Sequence, residues 1–242
     1  MTSIVAGGIV ATIVVIVIGV IVSIQPFFQP PKGQATLLVI SIVSDENMPT
    51  WCENVAKLLN DGKINAAVFF SGKVAQENPG CVTSFNEHID IGSSTYGYEK
   101  LTEVTDYSTQ LSEVTAGKKA VDEAGNLDSR SFRAPYGATD ENIYSLLSRS
   151  EIVADFSYKD RYHKFHDGQF IWFEITVIDL TSSDEKISDI EFPKDRPIQV
   201  NIDNTVPIED VESAILQLKE KNAEFLNASE LTGLELTIRR EV

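Results

Sequence analysis

The sequence predicts an α/β fold, a parallel β-sheet with helices on its faces, preceded by a single transmembrane helix. Three observations predict it. Short apolar, β-branched runs such as LLVISIV (Leu37 to Val43) and INAAVFF (Ile64 to Phe70) read as strands covered on both faces. Segments of helical spacing alternate with such runs along the chain, which implies parallel strands joined by crossover helices. Ile4 to Ile24 carries no charged residue and, at the helical rise, is long enough to cross the hydrocarbon core of a bilayer.

Taken in order, residues 1–24 form the anchor. The MTS that opens the chain has no Lys or Arg and no A-x-A site follows the apolar run, so a retained span is expected rather than a cleaved signal. Residues 25–35 form a Pro-rich linker (QPFFQPPKGQ lies within it), unsuited to regular helix or central strand. Residues 36–232 form the domain. After the first strand, Thr50 to Asn60 has helical spacing and Gly62 stops it. Beyond the second strand, a short helix is expected near Pro79 to Glu87, and HIDIG forms a short third strand. Tyr107, Leu111, Val114 and Val121 set a helix over Asp106 to Ala124 that Gly125 closes. SFRAPYG (Ser131 to Gly137) reads as strand into turn, and Asn142 to Leu147 as helix. IVADFSY, FIWFEITVIDL and RPIQVNI read as strands, with YHKFHDG a polar linker among them. The last helix runs from Pro207 to about Lys221, with Glu209 and Asp210 at its positive N-terminal end. EFLNASEL is a terminal strand and turn, and residues 233–242 are a tail. Periodicity does not separate a closed barrel from an open doubly wound sheet. Either one places function on the loops at the carboxyl ends of the strands.

The chain has 242 residues and a formal net charge of −16, which excludes a phosphate-backbone partner needing clustered Lys and Arg. Cys52 and Cys81 lie outside any C-x-x-C spacing, so they form either one disulfide, as in oxidising extracytoplasmic space, or two buried thiols. The disulfide is the expectation, with the domain outside the cell. The triplet Asn227-Ala228-Ser229 is a glycosylation sequon consistent with that side. His88 reads as a structural histidine, and His163, His166 and Asp167 form an H-x-x-H-D cluster that is either a metal site or ordinary linker.

The order of the strand-end loops resembles the polysaccharide deacetylase family, the NodB homology domain, over nearly all of residues 36–232. FRAPYG (Phe132 to Gly137) is similar to the family's R-x-P-Y motif. INAAVFFSG, IDIGSSTYGYEKLTEV and IQVNIDN support it in the right order. The resemblance implies a distorted (β/α) barrel with its site at the strand carboxyl ends. It implies zinc held by one Asp and two His, a second Asp as base, an Arg positioning that base and a late His as acid. Amide hydrolysis needs these parts to supply a nucleophilic hydroxide at neutral pH and a home for the oxyanion.

Carried onto this chain, Asp45 takes the metal-binding position and Ser44 the base position, with a one-residue shift admitted. Ser94 and Tyr98 take the two His positions of H-[ST]-x-x-H. Arg133 and Tyr136 match the third motif, Tyr136 offering the backbone amide that would face the oxyanion. In Asn201-Ile202-Asp203, Ile202 takes the acid His position, beside Asp203. Serine and neutral tyrosine are poor zinc ligands, so no metal or other cofactor is expected. Glu46 and Glu99 either help Asp45 hold a hard cation or are solvated loop acids. Trp51 and Tyr96 are the candidates for stacking on sugar rings, while Trp172, within a strand run, is expected in the core. Three functions follow: a degenerate, membrane-anchored domain binding envelope glycan; a scaffold subunit of a membrane or envelope complex; or an active divergent carbohydrate deacetylase.

Overall fold

The computed structural model describes residues 32–44, 47–181, 187, 191–193, 195–233 and 237–239. The expected anchor, most of the linker, and Asp45 and Glu46 lie outside these. Among the described residues, no helix is long and apolar enough to cross a membrane.

The first strand, β1 (Gln34–Ile42), is the centre of the fold, because its period-2 pleat divides two apolar layers. Leu38, Ile40 and Ile42 face the helices, whereas Leu37 and Val39 face inward with Ala67, Phe69 and Phe156. On one side β1 pairs in parallel with β10 (Ile198–Asp203), and β9 (Thr176–Asp179) follows β10. Elsewhere β1 pairs in parallel with β2 (Ala66–Phe70) along its carboxyl half and β11 (Ala223–Leu226) along its amino half. Beyond β2 come β3 (Ile89–Ser93), β5 (Ser131–Phe132) and β6 (Ala154–Asp155), all parallel. Then β7 (Arg161–His166) and β8 (Gln169–Glu174) turn back as an antiparallel hairpin. The two ends of this strand order, β8 and β9, are separated in the chain by Ile175 alone. The sheet is therefore a nearly closed, mixed α/β barrel. A separate pair joins β4 (Leu127–Ser129) to β12 (Thr237–Arg239), so the expected tail adds a strand to the domain.

Seven α-helices are described: α1 (Met48–Gly62), α2 (Gly72–Glu77), α3 (Pro79–Thr83), α4 (Tyr107–Gly125), α5 (Ile143–Arg149), α6 (Ile208–Glu220) and α7 (Ala228–Thr232). Helix α1 ends on Lys63 and α4 on Asn126, both in the left-handed region, so the stop falls one residue after each glycine. Asp106 caps α4 by accepting from the Thr109 amide. Asn227 caps α7 in a reciprocal pair with Glu230, and its amide nitrogen faces the His88 carbonyl, so the sequon side chain is already engaged. Cys52 and Cys81 form the expected disulfide, which ties α1 to α3.

Three expectations change. The YHKFHDG linker is mostly strand β7, because alternation places Tyr162 inside and leaves charged residues along its rim. The apolar run 170–180 is two strands broken at Ile175, whose amide turns to donate to the Asp160 carbonyl. The sheet is mixed rather than parallel because the six-residue hairpin strands need no crossover helix between them.

A candidate site at the carboxyl end of the barrel

Pleat parity decides which residues enter the barrel. Along β10, Ile198, Val200 and Ile202 pack against the helices, which leaves Gln199, Asn201 and Asp203 on the inner face. Ile202, the expected acid position, is 1% exposed in the outer core and cannot reach the mouth. Along β1 the inner position level with Asp203 is Ser41, and Ser41 is the residue that accepts from Arg133 Nε at 3.2 Å. Ser44, the expected base position, is exposed beyond the end of the strand. Ser41, three residues before Ser44, is thus the inner-face residue of β1 that Arg133 meets, and it offers a hydroxyl rather than a carboxylate.

Arg133 is buried at the carboxyl end of β5 and donates through a terminal guanidinium nitrogen to the Phe156 carbonyl at 2.6 Å. Burial pulls its pKa down, against which Tyr98, Asp179, Asp155 and Asp203 favour its charge. The loop after it is held tightly. The Ala134 amide donates to Ser157 Oγ at 2.8 Å, and Ser157 in turn donates to Asp155 Oδ1. Gly137 has φ +65°, and a Cβ there would lie 2.8 Å from the Ser157 carbonyl oxygen, so the turn admits glycine. Tyr136 is also left-handed, at φ 56°, and presents a ring that is 67% exposed at the rim, with Lys100 Nζ 5.1 Å from its centroid.

Gly92 lets β3 approach its neighbours, since a Cβ there would lie 2.5 Å from both Phe69 and Ser131 side-chain atoms. The chain then leaves β3 into the Ser94–Tyr98 loop. Ser94 is buried with its hydroxyl unpartnered. Tyr98 is half-buried with φ 64°, a strained conformation for a bulky residue. Its ring meets that of Tyr136 edge to face at 5.1 Å, and its hydroxyl faces the Tyr136 backbone amide. Burial pushes the phenol up to about 12, although the Arg133 charge pulls the other way. Ser94 and Tyr98 are therefore neutral oxygens. These donors do not fit zinc, which takes imidazole, thiolate or carboxylate. Among the described residues, no three His, Cys, Asp or Glu side chains converge as a metal site.

Asp155 is a site-supporting residue that the sequence pattern did not reveal, signalled only by one acid inside the apolar run IVADFSY. It is fully buried; burial raises its pKa to about 6, with Ser157 and Arg133 opposing the shift. Gln199 links the same chamber, donating to the Phe156 carbonyl at 3.2 Å and to Asn201 Oδ1 at 2.8 Å.

The stacking candidates fall elsewhere. Trp51 is 7% exposed in the helix layer, its indole N–H donating to the Val206 carbonyl at 2.7 Å, because the buried stripe of α1 includes it. Tyr96 turns to the outer side of its loop, donating to Gln76 and lining a groove between α2, α3 and α4. Trp172 is 54% exposed rather than core, since β8 ends the strand order and is paired by β7 alone. His163 is buried between the rings of Tyr144 and Tyr158, at 4.8 and 4.7 Å. Burial lowers its pKa to about 4. His166 is exposed beside Asp167. Residues three apart on a strand face opposite ways, so this pair does not converge on a metal.

The polysaccharide deacetylase family profile matches residues 32–154, over half of the chain. The chain belongs to the polysaccharide deacetylase family. No curated protein matches it in sequence. Among solved structures, it is similar to a CE4 family pseudoenzyme from Bacillus anthracis (16% identity, TM-score 0.61, covering 84% of this chain and 66% of that one). It is also similar to a mutant CE4 family pseudoenzyme with restored enzymatic activity (15% identity, TM-score 0.62, covering 84% of this chain and 68% of that one). The peptidoglycan deacetylase PdaC from Bacillus subtilis is similar at 14% identity and TM-score 0.63, covering 85% of this chain and 93% of that one. At these identities the likeness is one of fold.

Proposed function

We propose that this chain is a catalytically degenerate polysaccharide-deacetylase-like protein, carried on its N-terminal apolar segment and binding envelope carbohydrate at the barrel mouth. The observation that carries the reading is Tyr98. It is held left-handed at φ 64°, its ring edge to face with Tyr136 at 5.1 Å, and motif order in the sequence aligns it with the second metal-ligand position of the family motif. A neutral phenol there supplies neither a zinc ligand nor an activated water. Ser41 on Arg133 Nε gives no general base either, since a hydroxyl does not ionise near neutral pH. What the mouth keeps is a recognition surface: the exposed Tyr136 ring, Lys100 over it and the buried Arg133 below.

Metal analysis of the purified full chain tests the first half. Substoichiometric zinc is the expected result, and one tightly held zinc per chain would restore the hydrolase reading. Titration with glycan oligomers tests the second half, and Tyr136→Ala should weaken binding about tenfold, as the loss of one stacking ring does. A scaffold role in a membrane complex is favoured by a separate observation, the exposure of Trp172 and Phe173 along β8. Crosslinking from Trp172 to a membrane partner, with no glycan bound, would select that role instead.

A further inference from the structure

We propose that β8 pairs with β8 of a second copy of this chain, joining two barrels edge to edge in an antiparallel, two-fold dimer, whatever the mouth binds. The first ground is an open edge. β8 pairs residue for residue with β7, from Arg161↔Glu174 to His166↔Gln169, across the two-residue turn Asp167-Gly168. Such a turn makes His166 and Gln169 a hydrogen-bonded pair, so Gln169, Ile171 and Phe173 turn their backbone groups toward β7. Phe170, Trp172 and Glu174 turn theirs the other way. Among the described residues no strand pairs with that side, because β9, which continues the chain beyond Ile175, pairs with β10 instead. A row of unpaired N–H and C=O groups is a template for another strand.

The second ground is that this edge carries none of the usual protection. Edge strands are ordinarily guarded by Lys, Pro or a bulge. QFIWFE has no Lys and no Pro, and its register with β7 is unbroken over six residues. Trp172 and Phe173 are 54% and 39% exposed and, being adjacent, lie on opposite faces of β8. Apolar surface therefore borders the edge on both sides. A partner lying on one face would leave the other uncovered, whereas a strand added at the edge reaches both.

Charge and register select a second copy as that strand. Residues 159–174 carry Lys159, Arg161 and Lys164 against Asp160, Asp167 and Glu174, a balanced segment in a chain of net charge −16. Two such acidic chains repel one another, and this hairpin is a place where they can approach. With the two-fold axis at Trp172, Phe170 of one copy faces Glu174 of the other and Ile171 faces Phe173. No acid then opposes an acid. Glu174, the one charged residue of β8, is held within its own chain by Arg196 at 3.0 Å.

The test is cysteine capture in the full chain in detergent micelles, where the native Cys52 and Cys81 are already bridged. Trp172→Cys lies opposite itself, with Cα atoms about 5.5 Å apart, and a short bis-maleimide should capture it as a covalent dimer. Glu174→Cys lies about 13 Å from its own counterpart and should be captured at least about fivefold less. Leu216→Cys, exposed on α6, should be captured no better than Glu174→Cys. Trp172→Lys places like charges at the axis and should raise the dimer Kd at least about tenfold in sedimentation. Equal capture at positions 172, 174 and 216 would overturn the inference, as would a monomeric wild type or a dimer that survives Trp172→Lys. Capture of Trp172→Cys on a different protein in native membranes, without self-capture, would overturn it in favour of the scaffold role.

Discussion

Replacing Asp155 by Asn should stabilise the protein at neutral pH and leave it unchanged in acid. The carboxyl is fully buried, with its pKa raised from 3.8 to about 6 in the folded state. Its folded form therefore binds a proton more tightly than its unfolded form. Stability from this group is greatest below the unfolded pKa of 3.8, declines as pH rises through the window, and levels off above about 6. Two pKa units at about 1.4 kcal/mol each amount to roughly 3 kcal/mol of cost above that window. Asn keeps the oxygen that accepts from Ser157 but cannot ionise, so the variant escapes the cost. Urea unfolding of wild type and Asp155→Asn at pH values spanning the window should give coincident midpoints at the acid end and a gap approaching about 3 kcal/mol above it. Trp51 fluorescence suits the assay because that indole is buried in the folded core, and Trp172→Phe removes the exposed one. A difference that is constant with pH, or a variant less stable at neutral pH, would refute the assignment of that burial cost to Asp155.

Two further outcomes follow from the geometry. Removing the Cys52–Cys81 bridge by paired Ser substitutions frees a loop of sequence separation 29 in the unfolded chain, and by loop entropy should cost about 3.5 kcal/mol in the same urea assay. An unchanged midpoint would show that the bridge does not form in the protein. The double variant Ser94→His with Tyr98→His should gain zinc affinity, measured by competition with a chromogenic chelator, because two imidazoles then sit on the loop beside β3. No gain over wild type would place the family's metal loop at other residues.

Much of the fold was legible because burial on both faces writes continuous apolar runs, as in Leu37 to Val43 and Ile64 to Phe70. The helix over Tyr107–Gly125 was equally clear from its capped, periodic stripe. The hairpin of β7 and β8 was not. Arg161 is half-buried, His166 is exposed and Lys164 donates to the Thr232 carbonyl, so its polar residues mimic a linker. Motif order identified the family through FRAPYG and the Ser94–Tyr98 loop, and those residues do meet, Tyr98 against Tyr136 and Arg133. Local order did not identify which neighbour of each motif residue faces the mouth. Ile202 is one residue from the inner-face positions Asn201 and Asp203, and on a pleated strand one residue is the whole difference between site and core; Ser44 lies three residues past Ser41, beyond the end of β1.

By itself, then, the sequence determined the family, the α/β alternation and the identity of every side chain available for chemistry, in a strongly acidic chain. These are properties of residue type and short-range order. The tertiary structure alone decided which side of each strand looks inward and which ends of distant strands share one chamber. It put Asp155 beneath Arg133, turned Trp51 into the core and Trp172 out of it, and set the Tyr98 phenol against the Tyr136 amide. Those facts come from long-range strand pairing, which brings residues 162 positions apart into register, as Thr36 of β1 and Ile198 of β10 show. No local pattern encodes that meeting.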